Sequence, residues 1–306
     1  MLSPALQVLR PRHVEEAAAR LLAGESKAQL LAGGQSLIAA MRTGLSEPSH
    51  LIDLRSLIAA HPDLDTLRDE GETLWVGALV THHRIASSPE VARHSPMLAL
   101  LAAGIADQQI RNRGTIGGSV ALHDPAACWP AGVLASGAWV ITQQRAIPAD
   151  DFFTGLYGTA LAADEIILGL RFPAGRSGIY LKSEQKASRF ALVGVAITRH
   201  ATACHPQSST TTERLPQPGT RIAVTGLGHG VTRWPAAERL LDARFAPETL
   251  LAIEWPTDEA TADLHASARY RANLARVLAI RAVAALTGQP APPAPPNDSL
   301  RERPTR

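Results

Sequence analysis

Two short segments of the sequence combine a pair of glycines with hydroxyl side chains at the end of an apolar stretch. The first, AGGQS, contains Gly33 and Gly34, and the second, TIGGS, contains Gly117 and Gly118. Without side chains in the way, the main-chain N–H groups of such turns form concave sites that a phosphate oxygen can reach. The chemistry they predict is diphosphate binding. Either pair taken alone is read more simply as an ordinary tight turn, because short motifs also occur by chance.

Neither segment matches a common nucleotide motif. The three spaced glycines of the dinucleotide fingerprint are missing, and so is the Lys-Ser or Lys-Thr ending of the phosphate loop. The sequence therefore gives no support to a nicotinamide or nucleoside triphosphate site of those types. Two loops far apart in the chain can still clamp one diphosphate from both sides.

The segments around the glycine pairs have the patterns of a strand, a turn and a helix. Apolar residues at 30–32 predict a strand that enters a helix at 35–42 through the first glycine pair, and a helix at 125–136 follows the second pair. Further strands are predicted at 50–54, 73–80, 138–142, 164–173 and 221–224, a hairpin or longer antiparallel sheet over 179–203, and helices at 11–24, 96–106, 235–241 and before Gly288.

Composition excludes several classes of protein. With 306 residues, of which 45% are hydrophobic, the chain is long enough for two or three subdomains. A net charge of +2, from 30 basic and 28 acidic residues spread along the chain, gives no continuous positive face for nucleic acid. Cys128 and Cys204 are too few for an iron–sulfur cluster held by four thiolates of this chain, and they show no disulfide framework.

The sequence also predicts where the chain is found and which parts lie outside its core. No signal peptide is recognisable, and no run approaches the roughly 20 apolar residues of a membrane span, so we expect a cytoplasmic protein. The polar segment 204–219 predicts a mobile loop between two strands. The Pro-rich tail 289–306 predicts disorder.

Several segments together resemble a known family. LLAGGQSLIAAMRTGLSEPSHLIDLRSL and QIRNRGTIGGSVALHDPAACWPA are similar to the two signature segments of the FAD-binding medium subunit of molybdenum hydroxylases of the carbon monoxide dehydrogenase and xanthine dehydrogenase type. The similarity continues in order through VGALVTHHRIASSPEV, DEIILGLRFP, IYLKSEQKASRFALVGVAIT, VTGLGHGVTRWPAAERLL and YRANLARVLAIRAVAAL. It covers nearly the whole chain, and several matched segments are more specific than any one of them.

The resemblance implies an α+β fold. Two α/β FAD-binding subdomains of the vanillyl-alcohol-oxidase type, about 1–57 and 58–175, would form an FAD-binding domain over 1–175. A C-terminal flavoprotein domain over 176–288 would contain a three-stranded antiparallel sheet and helices, followed by the disordered tail.

The resemblance also implies the residues that would hold noncovalent FAD. Ile105 would lie near the flavin, Ile167 would contact the adenine end, and Lys182 would stand near the pyrimidine edge, where a fixed positive charge favours the negative charge of the reduced flavin. Without the resemblance, Lys182 reads as a solvated charge on a strand edge. The remaining implied cofactor residues are Leu31, Ala32, Gly33, Gly34, Gln35, Ser36 and Leu37 in the first loop, Thr115, Ile116, Gly117, Gly118 and Ser119 in the second, and Cys128.

Other polar residues near these segments suggest no chemistry of their own. His82, His83, His123 and Asp124 lack the spacing of a metal site, so we expect surface or hydrogen-bonded histidines. Arg111 and Arg113 precede the second loop, where they would either shield the diphosphate or be solvated. No catalytic residue and no metal ligand is implied.

Three positions depart from the family's usual residues. Ser119 replaces Asn but keeps the main-chain donor and a short polar side chain. Cys128 and Arg189 each replace Asp. A thiol is a weak acceptor, so if that carboxylate normally bonds the cofactor, its loss removes about 1.5–3 kcal/mol, or about ten- to a hundredfold in affinity.

The implied function is that of an oxidoreductase subunit that transfers electrons. A large partner would carry the molybdenum cofactor and a small partner the 2Fe–2S clusters, and FAD in this chain would pass electrons to an external acceptor such as NAD, a quinone carrier or oxygen. Two alternatives stay open. The first is a flavin-poor structural subunit, in which Cys128 and Arg189 weaken the site. The second is a self-contained FAD oxidase of the same fold, although this chain has no histidine or cysteine assignable to flavin attachment or to a substrate base.

Overall fold

The computed structural model describes residues 6–23, 27–200, 219–253 and 259–292. The α-helices of these residues are α1 Val14–Ala23, α2 Leu37–Arg42, α3 His82–Ser87, α4 Pro89–His94, α5 Pro96–Ala103, α6 Gln108–Arg111, α7 Ile116–Leu122, α8 Cys128–Ser136, α9 Ala149–Phe152, α10 Pro235–Ala243 and α11 Ala268–Thr287. Most of the predicted loop at 204–219 and most of the predicted tail lie outside them. None of the described helices is long and apolar enough to cross a membrane.

The strands of the described residues form four sheets. They are β1 Gln7–Leu9, β2 Ala28–Leu31, β3 His50–Asp53, β4 Leu67–Asp69, β5 Thr73–Gly77, β6 Trp139–Thr142, β7 Ala146–Pro148, β8 Phe153–Gly155, β9 Gly158–Thr159, β10 Ile167–Pro173, β11 Arg176–Glu184, β12 Ala191–His200, β13 Gly219–Thr225 and β14 Thr232–Arg233. The sheet orders are β1-β3-β2, β4-β5-β10-β6-β7, β11-β12-β13-β14 and β8-β9.

The first sheet is parallel and carries the first glycine pair at its edge. The spacing of Val14, Ala17 and Ala18 puts three apolar side chains on one face of α1, and all three are buried against this sheet. In β2, Leu30 pairs with Ile52 of β3, and the strand ends at Leu31, one residue before the glycines. The packing of α1 and the sheet therefore fixes the point at which the first loop begins.

The second sheet is antiparallel, with β10 at its centre. Leu170 of β10 pairs with Val76 on one side and Val140 on the other, and all three side chains are buried in the largest apolar core. The first two sheets fall within the predicted segments 1–57 and 58–175. Those boundaries stay predictions.

Helix α8 lies between the second sheet and the C-terminal sheet. It is apolar on all sides and all nine of its residues are buried, as expected for a helix covered from every direction. It packs on β10 as well as on β12 and β13, so one core joins the two parts of the chain. Pro130 is tolerated because it lies in the first turn, whose N–H groups have no partner within the helix.

The C-terminal antiparallel sheet has four strands rather than the three that the resemblance implies. The additional strand, β14, is only two residues long and pairs Arg233 with Ala223 and Thr232 with Val224. Two residues are too short to show an alternating pattern, so this strand depends on pairing that sequence periodicity cannot reveal. Helices α10 and α11 cover the far face, and Gly288 (φ 66°) ends α11 as predicted.

The C-terminal sheet forms hydrogen bonds with the segment between α7 and α8. The hydroxyl of Thr225 donates to the carbonyl oxygens of Pro125 (2.5 Å) and Ala127 (3.0 Å). The N–H of Ala191 donates to the carbonyl oxygen of Ala126 (3.2 Å). These bonds draw residues 125–127 out of the helix, so α8 begins at Cys128 rather than at 125 as predicted. Contacts between distant segments therefore position Cys128.

Candidate functional site

The two glycine loops are in direct contact. A Cβ atom on Gly33 would lie 2.1 Å from the carbonyl oxygen of Arg113 and 2.8 Å from the Cα of Gly114. A Cβ atom on Gly118 would lie 3.8 Å from the Cβ of Ala32. The structure thus brings the two segments into direct contact, and only a residue without a side chain fits at position 33.

The first loop presents free main-chain donors. Among the described residues, none accepts a hydrogen bond from the main-chain N–H groups of residues 33–37. Gly34 (φ 75°) makes the turn, and the side chain of Ser36 does not cap α2. Helix α2 begins at Leu37 rather than at 35 as predicted, so the N–H groups of residues 33–36 lie before the helix and that of Leu37 belongs to its first turn, whose N–H groups have no partner within the helix. Such a run is typical of an anion site.

The second loop is bound to the segment 78–82 along its main chain. The N–H of Gly117 donates to the carbonyl oxygen of Ala78 at 2.9 Å, and that of Ile116 donates to Val80 at 3.1 Å. A Cβ atom on Gly117 would lie 2.6 Å from the Cβ of Ala78. Position 117 therefore requires glycine because of packing inside the protein.

The remaining N–H groups of the second loop are largely used as well. The N–H of Ser119 donates to the carbonyl oxygen of Thr115 at 3.1 Å, and that of Gly118 makes a longer bond of 3.3 Å to the Thr115 hydroxyl. Among the described residues, the N–H of Thr115 has no acceptor. The two loops therefore differ. The first has main-chain N–H groups that can donate to a ligand, whereas the second contributes mainly a backbone surface at its glycines.

Lys182 is a half-buried, paired charge on the edge strand β11. Its side chain is 10% exposed, and its ammonium group lies 3.3 Å from a carboxylate oxygen of Glu184. The ammonium group also donates to the carbonyl oxygen of Arg189 at 2.7 Å. The charge therefore lies on a strand edge, as in the alternative interpretation, but two neighbours on the β11–β12 hairpin bind it.

Cys128 lies at the first position of α8 as a buried free thiol. Burial raises the pKa of the thiol, and the positive charge of Lys182 opposes this only in part. The buried Tyr180 hydroxyl lies beside it, and burial raises the pKa of Tyr180 as well. The position therefore carries a neutral, weakly polar group.

Ile105 lies in a loop that two arginines hold. Nη1 of Arg111 donates to the carbonyl oxygens of Ile105 and Ala106, both at 2.9 Å. Nη1 of Arg189 reaches the same Ala106 oxygen at 3.3 Å, so the β11–β12 hairpin is joined to this loop. Ala106 (φ 42°) has left-handed backbone, and α5 ends at Ala103 rather than at 106 as predicted. Ile105 is thereby linked to the hairpin that carries Lys182.

Ile167 is buried in the core of the second sheet. The next residue, Leu168, accepts a hydrogen bond from the N–H of Ala78 at 2.9 Å, and Ala78 in turn accepts from Gly117. The main chain at Ile167 is therefore close to the second loop, whereas its side chain packs among apolar neighbours.

The histidines are hydrogen-bonded, as predicted. Nδ1 of His82 accepts from the indole N–H of Trp129 at 3.0 Å, and burial lowers the pKa of His82 to about 4. In His123, Nε2 accepts from the N–H of Val231 at 3.1 Å and Nδ1 lies 2.8 Å from the Gly158 carbonyl oxygen. Burial lowers the pKa of His123 too. Both rings are neutral at pH 7 and tie together distant segments.

The lowered pKa of His82 predicts a loss of stability in acid. Between its ordinary value of about 6.5 and the folded value of about 4, the unfolded chain binds one proton more than the folded chain. The contribution of neutral His82 to the free energy of unfolding is fully present above pH 6.5, and it falls by about 2 kcal/mol between pH 7 and pH 5. Urea unfolding at the two pH values measures this loss, which His82→Gln should remove. The exposed neighbour provides the control: His83→Gln should leave the loss unchanged, and an equal loss in all three proteins would contradict the prediction.

Sequence reasoning missed three residues of the site. Gly114 and Ala78 form the contacts that hold the two loops, and Trp129 orients His82. Gly114 was visible as a third glycine just before TIGGS, whereas nothing in the sequence marks Ala78 or Trp129 as anything other than core residues.

Comparisons with known proteins show the family to which this chain is similar. Residues 4–175 match the family model for the FAD binding domain in molybdopterin dehydrogenase. The chain is 36% identical over 289 residues to the nicotine 6-hydroxylase medium subunit of Paenarthrobacter nicotinovorans, which covers 92% of this chain and 96% of that protein. It is 34% identical to the carbon monoxide dehydrogenase medium chain of Hydrogenophaga pseudoflava, over 92% of this chain and 97% of the other.

Solved structures show the same fold. A chain of carbon monoxide dehydrogenase from Hydrogenophaga pseudoflava superposes with a TM-score of 0.78 at 33% identity, over 94% of this chain and 99% of that one. A chain of quinoline 2-oxidoreductase from Pseudomonas putida 86 gives a TM-score of 0.75 at 28% identity, over 92% and 97%.

Proposed function

The chain belongs to the family of FAD-binding medium subunits of molybdenum hydroxylases, and on this basis we propose that it transfers electrons through noncovalently bound FAD. Electrons would come from the 2Fe–2S clusters of a small partner subunit and leave to an external acceptor such as NAD or a quinone carrier. The observation that supports the proposal is the contact of Gly33 with Arg113 and Gly114, because the main-chain donors of the first loop that have no acceptor among the described residues then lie beside the second loop.

The residues at the proposed cleft between the two loops fit a diphosphate. The N–H groups of residues 33–37 have no acceptor among the described residues, and phosphate oxygens would supply one to each. At positions 33 and 118 no side chain fills the space between the loops. Bound FAD supplies redox chemistry that side chains lack.

The chain's own residues would bind and orient the cofactor. In this proposal Leu31 to Leu37 hold one side of the diphosphate and Thr115 to Ser119 form the opposite wall. Ile105 and Lys182 lie at the flavin end, and the main chain at Ile167 lies at the adenine end. The charge of Lys182 is largely shielded from water, so it would stabilise negative charge at the flavin edge more strongly than a solvated lysine.

The proposed partners follow from the relatives. Nicotine 6-hydroxylase and carbon monoxide dehydrogenase each contain a medium subunit or chain similar to this one. We propose that this chain likewise assembles with a large molybdenum-cofactor subunit and a small 2Fe–2S subunit. With two cysteines in its sequence, it cannot hold a four-thiolate cluster by itself.

A flavin-poor structural subunit is the second candidate function. It is favoured by the neutral thiol of Cys128, which stands where the family usually has a carboxylate. Such a subunit would keep its docking surfaces and hold FAD weakly.

Flavin content distinguishes the two candidates. We expect the purified protein, alone and with its partners, to show flavin absorbance after addition of FAD, with stoichiometric binding in a fluorescence titration. Cys128→Asp should tighten binding by about tenfold or more, because a carboxylate at the first turn of α8 accepts hydrogen bonds that a thiol does not. Cys128→Ser is the uncharged control and should change little. If the unmodified protein stays without flavin and only Cys128→Asp binds it, the structural subunit is the correct reading.

A further inference from the structure

The imidazole of His82 lies against the point where the two loops meet. A Cβ atom on Gly114 would be 2.7 Å from Nε2 and 2.9 Å from Cδ2 of this ring. The Cα of Gly114 also lies 2.8 Å from the Cβ position of Gly33. Gly114 is therefore in contact with both the first loop and the ring of His82.

Main-chain and side-chain contacts fix His82 in this place. Its N–H donates to the carbonyl oxygen of Gly114 at 2.9 Å, and its side chain is almost wholly buried. The indole N–H of Trp129, itself fully buried in α8, donates to Nδ1 at 3.0 Å. Because an indole nitrogen only donates, Nδ1 must carry the lone pair and the ring proton must lie on Nε2, the atom nearest to Gly114.

A chain of contacts thus runs from the core to the cleft. Trp129 is anchored in the helix that joins the two large sheets, His82 packs between Trp129 and Gly114, and Gly114 touches Gly33. His82, Trp129 and Gly114 are buried and each step is a close contact, so a change in the ring moves Gly114 against the first loop. Burial and, to a smaller extent, the positive charge of Arg111 lower the pKa of His82 and so disfavour a protonated imidazole.

We propose that His82, oriented by Trp129, is a positioning residue that sets the width of the diphosphate cleft between the two loops. This inference rests on the proposed FAD site. Hydrogen bonds from the first loop require main-chain atoms placed to a fraction of an ångström. The spacing set by His82 therefore controls the affinity for FAD without any contact between His82 and the flavin.

The test uses the full chain, with FAD as the probe. We expect His82→Phe and Trp129→Phe each to raise the dissociation constant of FAD about tenfold, since either change removes the bond that orients the ring. The double variant should bind no more weakly than either single variant, because both act through the same contact. In phosphorus NMR the two resonances of bound FAD should shift, while the visible flavin spectrum stays that of the unmodified protein.

A matched core variant separates positioning from general destabilisation. Ile85 is fully buried on the same helix as His82. Ile85→Ala should lower stability without shifting the phosphorus resonances, and it should leave the dissociation constant within about twofold. Should His82→Phe fail to fold, Trp129→Phe carries the same test.

The outcomes distinguish the two claims. If the unmodified protein binds FAD and both variants bind it as tightly, with unchanged phosphorus resonances, the positioning role of His82 is overturned while the proposed function stands. Additive losses in the double variant would also overturn it. If the unmodified protein takes up no FAD, the proposed function fails and this inference fails with it.

Discussion

Gly33→Ala is expected to lower the affinity for FAD by at least about a hundredfold. The added Cβ atom would lie 2.1 Å from the carbonyl oxygen of Arg113, and the backbone at that point cannot rotate away as a side chain would. The loops must therefore separate by more than about 1 Å to restore ordinary van der Waals contact. A fluorescence titration with FAD measures the change.

Two other glycines serve as graded controls for this variant. A Cβ atom on Gly104 would meet its nearest neighbour, the Leu100 carbonyl oxygen, at an ordinary 3.5 Å, so Gly104→Ala should bind FAD normally. A Cβ atom on Gly118 would lie 3.0 Å from the hydroxyl of Thr115, a side-chain atom that can move, so Gly118→Ala should show an intermediate loss. Binding by Gly33→Ala within twofold of the unmodified protein would show that the loops do not form the site together.

Arg271→Met is expected to lower the free energy of unfolding by about 3–5 kcal/mol. The guanidinium is buried, donates to the carbonyl oxygens of Leu192 and Gly226, both at 2.7 Å, and pairs with Asp263 at 2.6 Å. Methionine fills much of the same volume, so the loss arises mainly from two carbonyl groups left without donors. Unfolding in urea, followed by circular dichroism, measures it.

The same helix provides the control for this prediction. Arg281 is exposed on α11, so Arg281→Met should change the free energy of unfolding by less than about 0.5 kcal/mol. Equal effects at the two positions would mean that the buried bonds of Arg271 contribute nothing. Because Gly226 also donates to the carbonyl oxygen of Pro125 at 2.9 Å, Arg271→Met should also loosen the segment before α8.

Much of the fold was predictable because it depends on local patterns. The apolar spacing in α1 and α11, the stop at Gly288 and the β11–β12 hairpin all follow from periodicity and turn residues, and the structure confirms them. One error is the short strand β14, and the others lie at element ends, such as the start of α8, where bonds from Thr225 and Ala191 replace the helical ones. A window of neighbouring residues contains no information about such partners.

By itself, the sequence determined that two glycine loops with hydroxyl groups follow apolar segments and that several ordered segments resemble the FAD-binding family. It could not determine how the loops are used. Only the tertiary structure decided that Gly33 faces Gly114, that residues 78–80 occupy donors of the second loop, and that Lys182 is half-buried and paired. The physical reason is that a main-chain N–H is the same group in every turn. Whether it is free for a ligand depends on which distant carbonyl group the packing brings to it.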